Sequence, residues 1–309
     1  MSVSQRVSVL ITSYNYRQFI AEAVDSALAQ SRPPDEILII DDGSTDDTAA
    51  FLRERYANQP TVRLHSRENR GQLASFAEGA RLASGDILAL LDADDRWQPD
   101  YLARVLAVYQ QQPAVDFVYA NMRYFGERQG LFLPDPDSRR LGLSVLLGAY
   151  STRWQGAATS AMSLRRALAL DVLDIPEPYL GRWRTRADDW LVCGSDILGG
   201  HKYYLAEPLV EYRAHGNNAW LDQGRDPGAS LRHWLKVESM LAYYRARAGL
   251  PPEVKADVLR HAKYEFLTRP RPSYKELRAY CRLIGGSSLP WNKRLERKFS
   301  MWRHYLRSR

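Results

Sequence analysis

Only two cysteines occur in the 309 residues, Cys193 and Cys281, and they stand alone and far apart. A disulfide framework, a zinc site and a redox pair all need closer or more numerous thiols, so none is expected and a reducing compartment is the default. No stretch approaches the ~20 consecutive apolar residues of a membrane-spanning helix. The first predicted strand begins within a few residues of Met1, and no apolar signal region precedes it. These absences predict a cytoplasmic protein. Two phosphate-binding signatures are missing as well: no Gly-x-Gly-x-x-Gly follows the first strand, and no Gly-Lys-Ser/Thr phosphate loop occurs. A Rossmann dehydrogenase and a P-loop kinase are thereby disfavoured, and any bound phosphate is left to a cation and to side chains.

The chain is long enough for one large α/β domain with an appendage, and its 45% hydrophobic content is that of an ordinary folded protein. Its charge is uneven. From Arg225 onward lie 20 of the 43 Lys and Arg but only 7 of the 36 Asp and Glu, a net of +13, against −6 for the residues before. Gly224-Arg225-Asp226-Pro227-Gly228 reads as a linker, and helical patterns with Trp, Tyr and Arg follow it. The expected organisation is an α/β domain over residues 1–224 and a basic helical extension over residues 225–309.

Three short apolar strands run directly into polar or acidic residues. Val7 to Ile11 ends at Thr12-Ser13-Tyr14, Ile37 to Ile40 at Asp41-Asp42-Gly43-Ser44, and Ile87 to Leu91 at Asp92-Ala93-Asp94-Asp95. Helical periodicity at Arg17 to Ala29, Thr48 to Ala57 and Gln72 to Ala83 separates or follows them, and Asp100 to Gln111 continues the series. Such strands are parallel neighbours in one open sheet, where ligands sit off the carboxyl ends at the reversal of strand order. Carboxylates gathered there suit a hard divalent cation shared with a diphosphate, which suggests a nucleoside diphosphate held through Mg²⁺ or Mn²⁺. A single aspartate after a strand is most often a turn former or cap, and Ser44 or Thr45 is expected to start the helix at Thr48. Three such strand ends in one half-domain exceed what turn chemistry explains.

Farther on, Val115 to Tyr119 reads as a strand, Met122 to Phe125 with Gly130 to Leu133 as a short hairpin, and Pro134-Asp135-Pro136-Asp137 as loop. Asp188-Asp189 open a predicted helix, and Ala206 to Ala214 form a strand that ends at His215. In isolation, an acidic pair in a first helical turn is usually a dipole interaction, and a lone histidine after a strand is usually a turn residue.

Together, Val7-Ser8-Val9-Leu10-Ile11-Thr12-Ser13-Tyr14-Asn15-Tyr16, Asp41 to Asp46, Asn69-Arg70-Gly71 and Leu91 to Asp100 resemble a family 2 glycosyltransferase with the GT-A fold, a Rossmann-like, mostly parallel sheet flanked by helices. Four separate signatures agree in order and spacing over residues 5–220, which makes the resemblance specific. It implies an inverting transfer from a nucleotide sugar. Thr12, Tyr14 and Asp42 then lie around the base, with Tyr14 able to stack on it and Asp42 able to accept from a uracil or thymine imide. Asp92 falls near the ribose and Asp94 on the metal. Asp188-Asp189 match the family's acidic pair, usually Glu-Asp, whose second member is the base; Asp188 stays a candidate. Tyr212 to His215 resemble the closing motif, in which the histidine approaches the metal or the diphosphate.

Many relatives carry Ala-Arg-Asn on the helix after Asn-x-Gly, where this chain has Ser75-Phe76-Ala77, so phosphate contact from that helix is not expected. Arg70 or Arg153 would add positive charge at the diphosphate, although a surface role is the commoner one for each. Trp154, Trp183 and Trp190 fall where an acceptor binds. Most tryptophans are packing residues, and Trp154, before Gln155-Gly156-Ala157-Ala158, is the acceptor candidate.

An inverting displacement needs a base opposite the leaving group, which suits Asp189, and a cation on Asp94 and His215 to stabilise the departing diphosphate. The resulting expectation is a metal-dependent glycosyltransferase that moves a sugar from a UDP-sugar, or a dTDP-sugar, to a hydroxyl of a saccharide or lipid-linked saccharide in surface polysaccharide or glycolipid assembly. The alternatives are transfer to a polyprenyl phosphate and a nucleotide-sugar-binding protein without turnover. No nucleic-acid partner is expected, because the basic residues of the extension are scattered and no recognition motif appears. After Pro290, Trp291, Leu295, Phe299, Trp302 and Leu306 recur at helical spacing among basic residues. This stripe either packs on the rest of the protein or lies at the inner face of a membrane.

Overall fold

The computed structural model describes residues 5–151, 153–215, 227–252 and 256–309. Ten strands form one mixed sheet: β1 (Val7–Ser13), β2 (Glu36–Asp41), β3 (Val62–Ser66), β4 (Ile87–Asp92), β5 (Arg96–Trp97), β6 (Phe117–Gly126), β7 (Gly130–Leu131), β8 (Arg139–Gly142), β9 (Met162–Arg165) and β10 (Lys202–Ala214). The order is β3-β2-β1-β4-β9-β6-β10-β5, with β7 on β6 and β8 on β10. β1 to β4 pair in parallel, β9 runs antiparallel between β4 and β6, and β6 pairs in parallel with β10. Every residue of β1 and β2 is buried, as expected of parallel strands covered on both faces by helices, which read as unbroken apolar runs. The strand order reverses between β1 and β4. Register there sets Thr12 beside Asp92, and Ser13 beside Asp41 of β2, so the polar residues that end the three strands share one edge of the sheet.

The four early helices span Ile20–Leu28, Thr48–Arg55, Gln72–Leu82 and Tyr101–Gln111, inside the predicted ranges. Ser44 and Thr45 do not start the helix at Thr48. Its N-cap is Asp47, and the Asp46 carboxylate accepts from the Thr48 N–H at 3.1 Å. Ser44 Oγ instead accepts from the Asn15 N–H at 3.0 Å, and Asn15 Oδ1 accepts from the Thr45 N–H at 2.8 Å. These two residues tie the loop after β2 to the loop after β1. The strand expected at Val115 to Tyr119, which begins only at Phe117, and Met122 to Phe125 are not separate elements but parts of β6, whose end forms a hairpin with β7. Residues 206–214 form the second half of β10. A bulge between Leu205 and Val210 breaks the period-2 pattern there: Pro208, which has no N–H to donate, stands opposite Asn121.

The main core packs both faces of the sheet and takes in Val237, Met240, Leu241 and Tyr244 of the helix Pro227–Arg247. A second core joins Leu146 and Leu147 to Leu259, Phe266, Leu277, Tyr280, Ile284, Met301 and Tyr305. The extension therefore packs on the rest through both cores. Residues 216–226, including most of the expected linker, lie outside the described residues. In the last helix, Trp291–Arg307, Met301 and Tyr305 face inward, while Trp291 is 75% exposed, Phe299 72%, Leu306 64%, Leu295 55% and Trp302 41%. The apolar stripe seen in the sequence is thus not the packed face. Among the described residues no helix is long and apolar enough to cross a membrane.

Candidate functional site

A cavity of about 620 Å³ opens at the shared edge where β1, β2 and β4 end. Thr12, Tyr14, Asp42, Asp92, Asp94, Trp154 and Asp188 all line it, so residues spread over the first 188 positions meet. His215 joins them through a 3.0 Å contact between its Nε2 and Asp94 Oδ2. Asp189 lies just behind the wall and is 4% exposed.

Asp42 is occupied as well as present. Its two oxygens accept from the N–H groups of Arg70 at 3.0 Å and Gly71 at 2.7 Å, with Arg67 Nε at 3.4 Å. This carboxylate shapes the Asn69-Arg70-Gly71 turn. Gly71 is required there: its φ is +91°, and a Cβ would stand 2.6 Å from the Arg184 backbone. Tyr14, 44% exposed, lines the cavity.

At the end of β4, Asp92 Oδ1 accepts from Gln72 Nε2 at 3.0 Å, and its N–H donates to Ser160 Oγ at 3.0 Å. Burial, and then the charges of Asp94 and Asp188, push its pKa well above the ordinary carboxylate value. Asp95 points the other way, 1% exposed, and accepts from Ser160 Oγ at 2.5 Å and from the Arg213 N–H at 2.8 Å. It ties the end of β10, and so His215, to the Asp92-Ala93-Asp94 loop. Among the described residues no cluster of three or more His, Cys, Asp or Glu side chains could by itself hold a metal. Asp94 and His215 supply two donors beside an open cavity. That set fits a Mg²⁺- or Mn²⁺-type ion whose remaining ligands are diphosphate and water oxygens.

Asp188 and Asp189 are the first residues of the helix Asp188–Ile197. The turn before them is set by Arg186 at φ +62° and by Gln72, whose Oε1 accepts from the Ala187 N–H at 3.4 Å. One glutamine thus links Asp92 to the acidic pair. Asp188 faces the cavity, and burial together with the charge of Asp189 pushes its pKa up to about 7. Asp189 Oδ1 accepts from Arg186 Nη2 at 3.1 Å. Its Oδ2 lies 3.6 Å from His233 Nε2 and is buried without a hydrogen bond, as is Trp154 Nε1. Burial raises the pKa of Asp189 against the opposing pull of Arg186 and Trp154.

Arg186 and His233 carry no signal in the sequence reading, since each matters only through a partner distant in the chain or held by a strained turn. His233 belongs to the basic extension, and burial, Arg186 and Lys236 lower its pKa. Arg70 and Arg153 do not line the cavity. Arg70 pairs with Glu177, and the cations on the cavity wall are Arg184 and Arg186. Ser75 lines the cavity, and Phe76, which aligns with the arginine of the family's Ala-Arg-Asn segment, is fully buried. Trp183 is 3% exposed and Trp190 0%, and they pack edge to face at 5.8 Å. Both are core residues, and Trp154 is the tryptophan on the wall.

The sequence profile described as Glycosyl transferase family 2 matches residues 8–169. Among similar proteins, an uncharacterised glycosyltransferase of Nostoc sp. is 31% identical over 216 residues, 69% of this chain and 66% of its own length. Chondroitin synthase of Escherichia coli is 38% identical over 124 residues, 40% of this chain but only 18% of that protein. Of the solved structures, S. aureus TarS 1–349 in complex with UDP-GlcNAc superposes with a TM-score of 0.60 at 18% identity, covering 98% of this chain and 90% of that one. The likeness in fold therefore extends over the C-terminal helices.

Proposed function

That this chain belongs to glycosyl transferase family 2 is the premise from which we propose an inverting transfer of a sugar from a UDP-sugar to a saccharide hydroxyl. The observation that carries the proposal is the convergence of Asp42, Asp92, Asp94 and Asp188 on one cavity with His215 on Asp94. Tyr14 stacks on the base, Asp42 accepts the imide N–H through a remaining lone pair, and Asp92 takes the ribose. Asp94 and His215 would hold a divalent cation, which when bound would supply positive charge to the leaving diphosphate. Arg184 and Arg186 on the cavity wall are the cations that would serve the diphosphate in the absence of the family's helix arginine.

The acceptor oxygen attacks the anomeric carbon as the bond to the diphosphate oxygen breaks, and the acceptor proton passes to a carboxylate. We assign that role to Asp189, whose Oδ2 is held by no hydrogen bond, with His233 Nε2 3.6 Å away, while Arg186 fixes its other oxygen. An entering acceptor must then displace the cover over Oδ2, and Trp154 offers its ring to the sugar. A second reading makes Asp188 the base, because it already faces the cavity with a pKa near neutrality.

Uridine is favoured over thymidine by the UDP and UDP-GlcNAc complexes of TarS. Surface polysaccharide assembly is supported by the chondroitin synthase likeness. Transfer to a polyprenyl phosphate is the lesser alternative, since such an acceptor is already an anion and needs little help from a base. The division at residue 225 is proposed as one of role: the extension lends His233 to the acidic pair and carries the exposed stripe of Trp291, Leu295, Phe299, Trp302 and Leu306. With Lys293, Arg294, Arg297, Lys298, Arg303 and Arg307 around it, this stripe suits the headgroup layer of an anionic membrane.

A screen of nucleotide release across UDP-, dTDP- and GDP-sugars, with Mn²⁺ or Mg²⁺, tests the reading. Release from a UDP-sugar that depends on an acceptor is expected, with UDP bound more tightly than GDP or CDP. Calorimetry in which GDP is preferred overturns the assignment of Asp42.

A further inference from the structure

A second cavity, of about 510 Å³, lies between the end of the helix Val145–Tyr150 and the helix Tyr274–Gly285. Arg153 on its wall is the chain neighbour of Trp154 on the wall of the first cavity. The charged side chains that line it are all basic: Arg153, Lys275, Arg278 and Arg282, above a floor of Leu259, Ala279 and Leu283. No carboxylate lines it among the described residues. The nearby Glu276 is buried and already bound by Arg269 and by the Ser273 N–H.

This concentration of charge works against the helix that carries it. Lys275, Arg278 and Arg282 fall on one face at helical spacing, where like charges a turn apart repel. The same helix is otherwise well made, with a complete capping box between Ser273 and Glu276. Arg153 is half-buried, and its Nε is closed off from water without an acceptor; burial lowers the pKa of its guanidinium. The charge of Glu276 opposes that shift without overcoming it, and an Nε buried without an acceptor is costly unless an anion completes it.

We propose that this cavity is an anion subsite that takes a phosphate-bearing group, a phosphodiester or diphosphate, belonging to the acceptor. Arginine forks match phosphate oxygens in pairs, and the apolar floor admits the chain attached to them. The enzyme then selects an anionic, phosphate-bearing glycan or lipid-linked saccharide over a neutral sugar. The assignment to the acceptor rests on the transferase reading of the first cavity; the binding of the anion does not.

The test is calorimetric titration of inorganic pyrophosphate into the full chain saturated with UDP, so that the donor site is filled. Saturable binding is expected, weakened about tenfold or more by Arg153→Ala/Arg278→Ala. The exposed Arg278→Ala alone is expected to weaken it in the same direction, and Arg123→Ala, at an exposed arginine of β6 that lines neither cavity, to leave it unchanged. UDP affinity is expected to stay constant in all variants. Absence of saturable binding by wild type, or an equal loss from Arg123→Ala, overturns the subsite. If UDP itself does not bind, the donor reading fails, and the same titration without UDP still decides the subsite. Displacement of pyrophosphate by soluble polyphosphate assigns a soluble polymer, displacement by phosphatidate vesicles assigns a lipid-linked group, and displacement by neither overturns the proposal.

Discussion

Around Arg269 and around Asp189 the chain buries charge in two different ways. The Arg269 guanidinium, 1% exposed, donates to Glu276, to Ser144 Oγ at 2.6 Å, to the Leu143 carbonyl at 3.2 Å and to Tyr280 Oη at 3.2 Å. Tyr280 in turn donates to Glu265 at 2.7 Å, and Glu265 accepts from the N–H groups of Leu146 and Leu147 at 2.7 and 3.0 Å. Every group there finds its partner inside the protein, and the network clamps the C-terminal helices to the start of the helix Val145–Tyr150. At the sheet edge, by contrast, Asp92, Asp94, Asp95, Asp188 and Asp189 crowd together, several with raised pKa values, and Asp189 keeps an oxygen without a donor. A saturated buried network holds elements in place, whereas carboxylates that outnumber the cations beside them, Arg184 and Arg186 on the wall and His215 and His233 behind it, are completed by what binds there.

Breaking the saturated network is expected to have the largest effect. Arg269→Met leaves Glu276 buried without its counter-charge and should lower stability by about 3–5 kcal/mol in urea unfolding. The UDP affinity of the folded fraction should stay close to wild type; a parallel loss of affinity would merge the two clusters into one.

Next comes the metal position. Asp94→Asn is expected to reduce turnover by about 10²–10³ with an unchanged circular dichroism spectrum, and EDTA to do the same to wild type. Full activity in EDTA would remove the cation from the scheme.

The acidic pair follows. Asp189→Asn should lower turnover by about 10² with UDP affinity preserved, and the same loss from Asp188→Asn alone would exchange the two roles. Its pH dependence has a definite sign. A carboxyl raised to about 7 carries its proton below that pH and is ionised above it, so turnover should rise through pH 7 in wild type. The limb belongs to the coupled pair, and Asp188→Asn, which removes one of two like charges, should move it to lower pH. A limb that stays in place would show that the pair is not coupled.

The smallest effect concerns the exposed stripe. The 309-residue chain is expected to sediment with anionic but not neutral vesicles, each basic residue near the surface adding ~1 kcal/mol at most. Trp291→Ser/Phe299→Ser should weaken this while donor hydrolysis continues. These substitutions are preferable to truncation before Pro290, which would strip Met301 and Tyr305 from the second core. Equal vesicle binding by the variant would exclude the stripe as the contact.

Much of the site was legible because β1, β2 and β4 are buried on both faces: their apolar runs stop abruptly, and the residues after them are those at the sheet edge. Asp42, Asp92, Asp94 and Asp188 could be placed on that ground together with the family resemblance. The middle of the sheet was not legible. The bulge at Pro208 interrupts β10, Asn121 interrupts β6, and Lys202 opens a buried strand with a charge explained by its 3.0 Å contact with Asp196 and its hydrogen bonds to the Gln155 and Val192 carbonyls.

By itself the sequence determined the alternation of strand and helix, the chemistry at the strand ends and the amphipathic stripe of the last helix, because each is a property of consecutive residues and the period of one element. Tertiary structure alone decided that His233 of the basic extension stands against Asp189 and that Gln72 bridges Asp92 to the acidic pair. It also decided that the last helix buries Met301 and Tyr305 and leaves its tryptophans in solvent. Periodicity reports that a face is apolar but carries no information about which neighbour covers it. That depends on how elements distant in the chain pack, where distance, burial and charge balance are settled together.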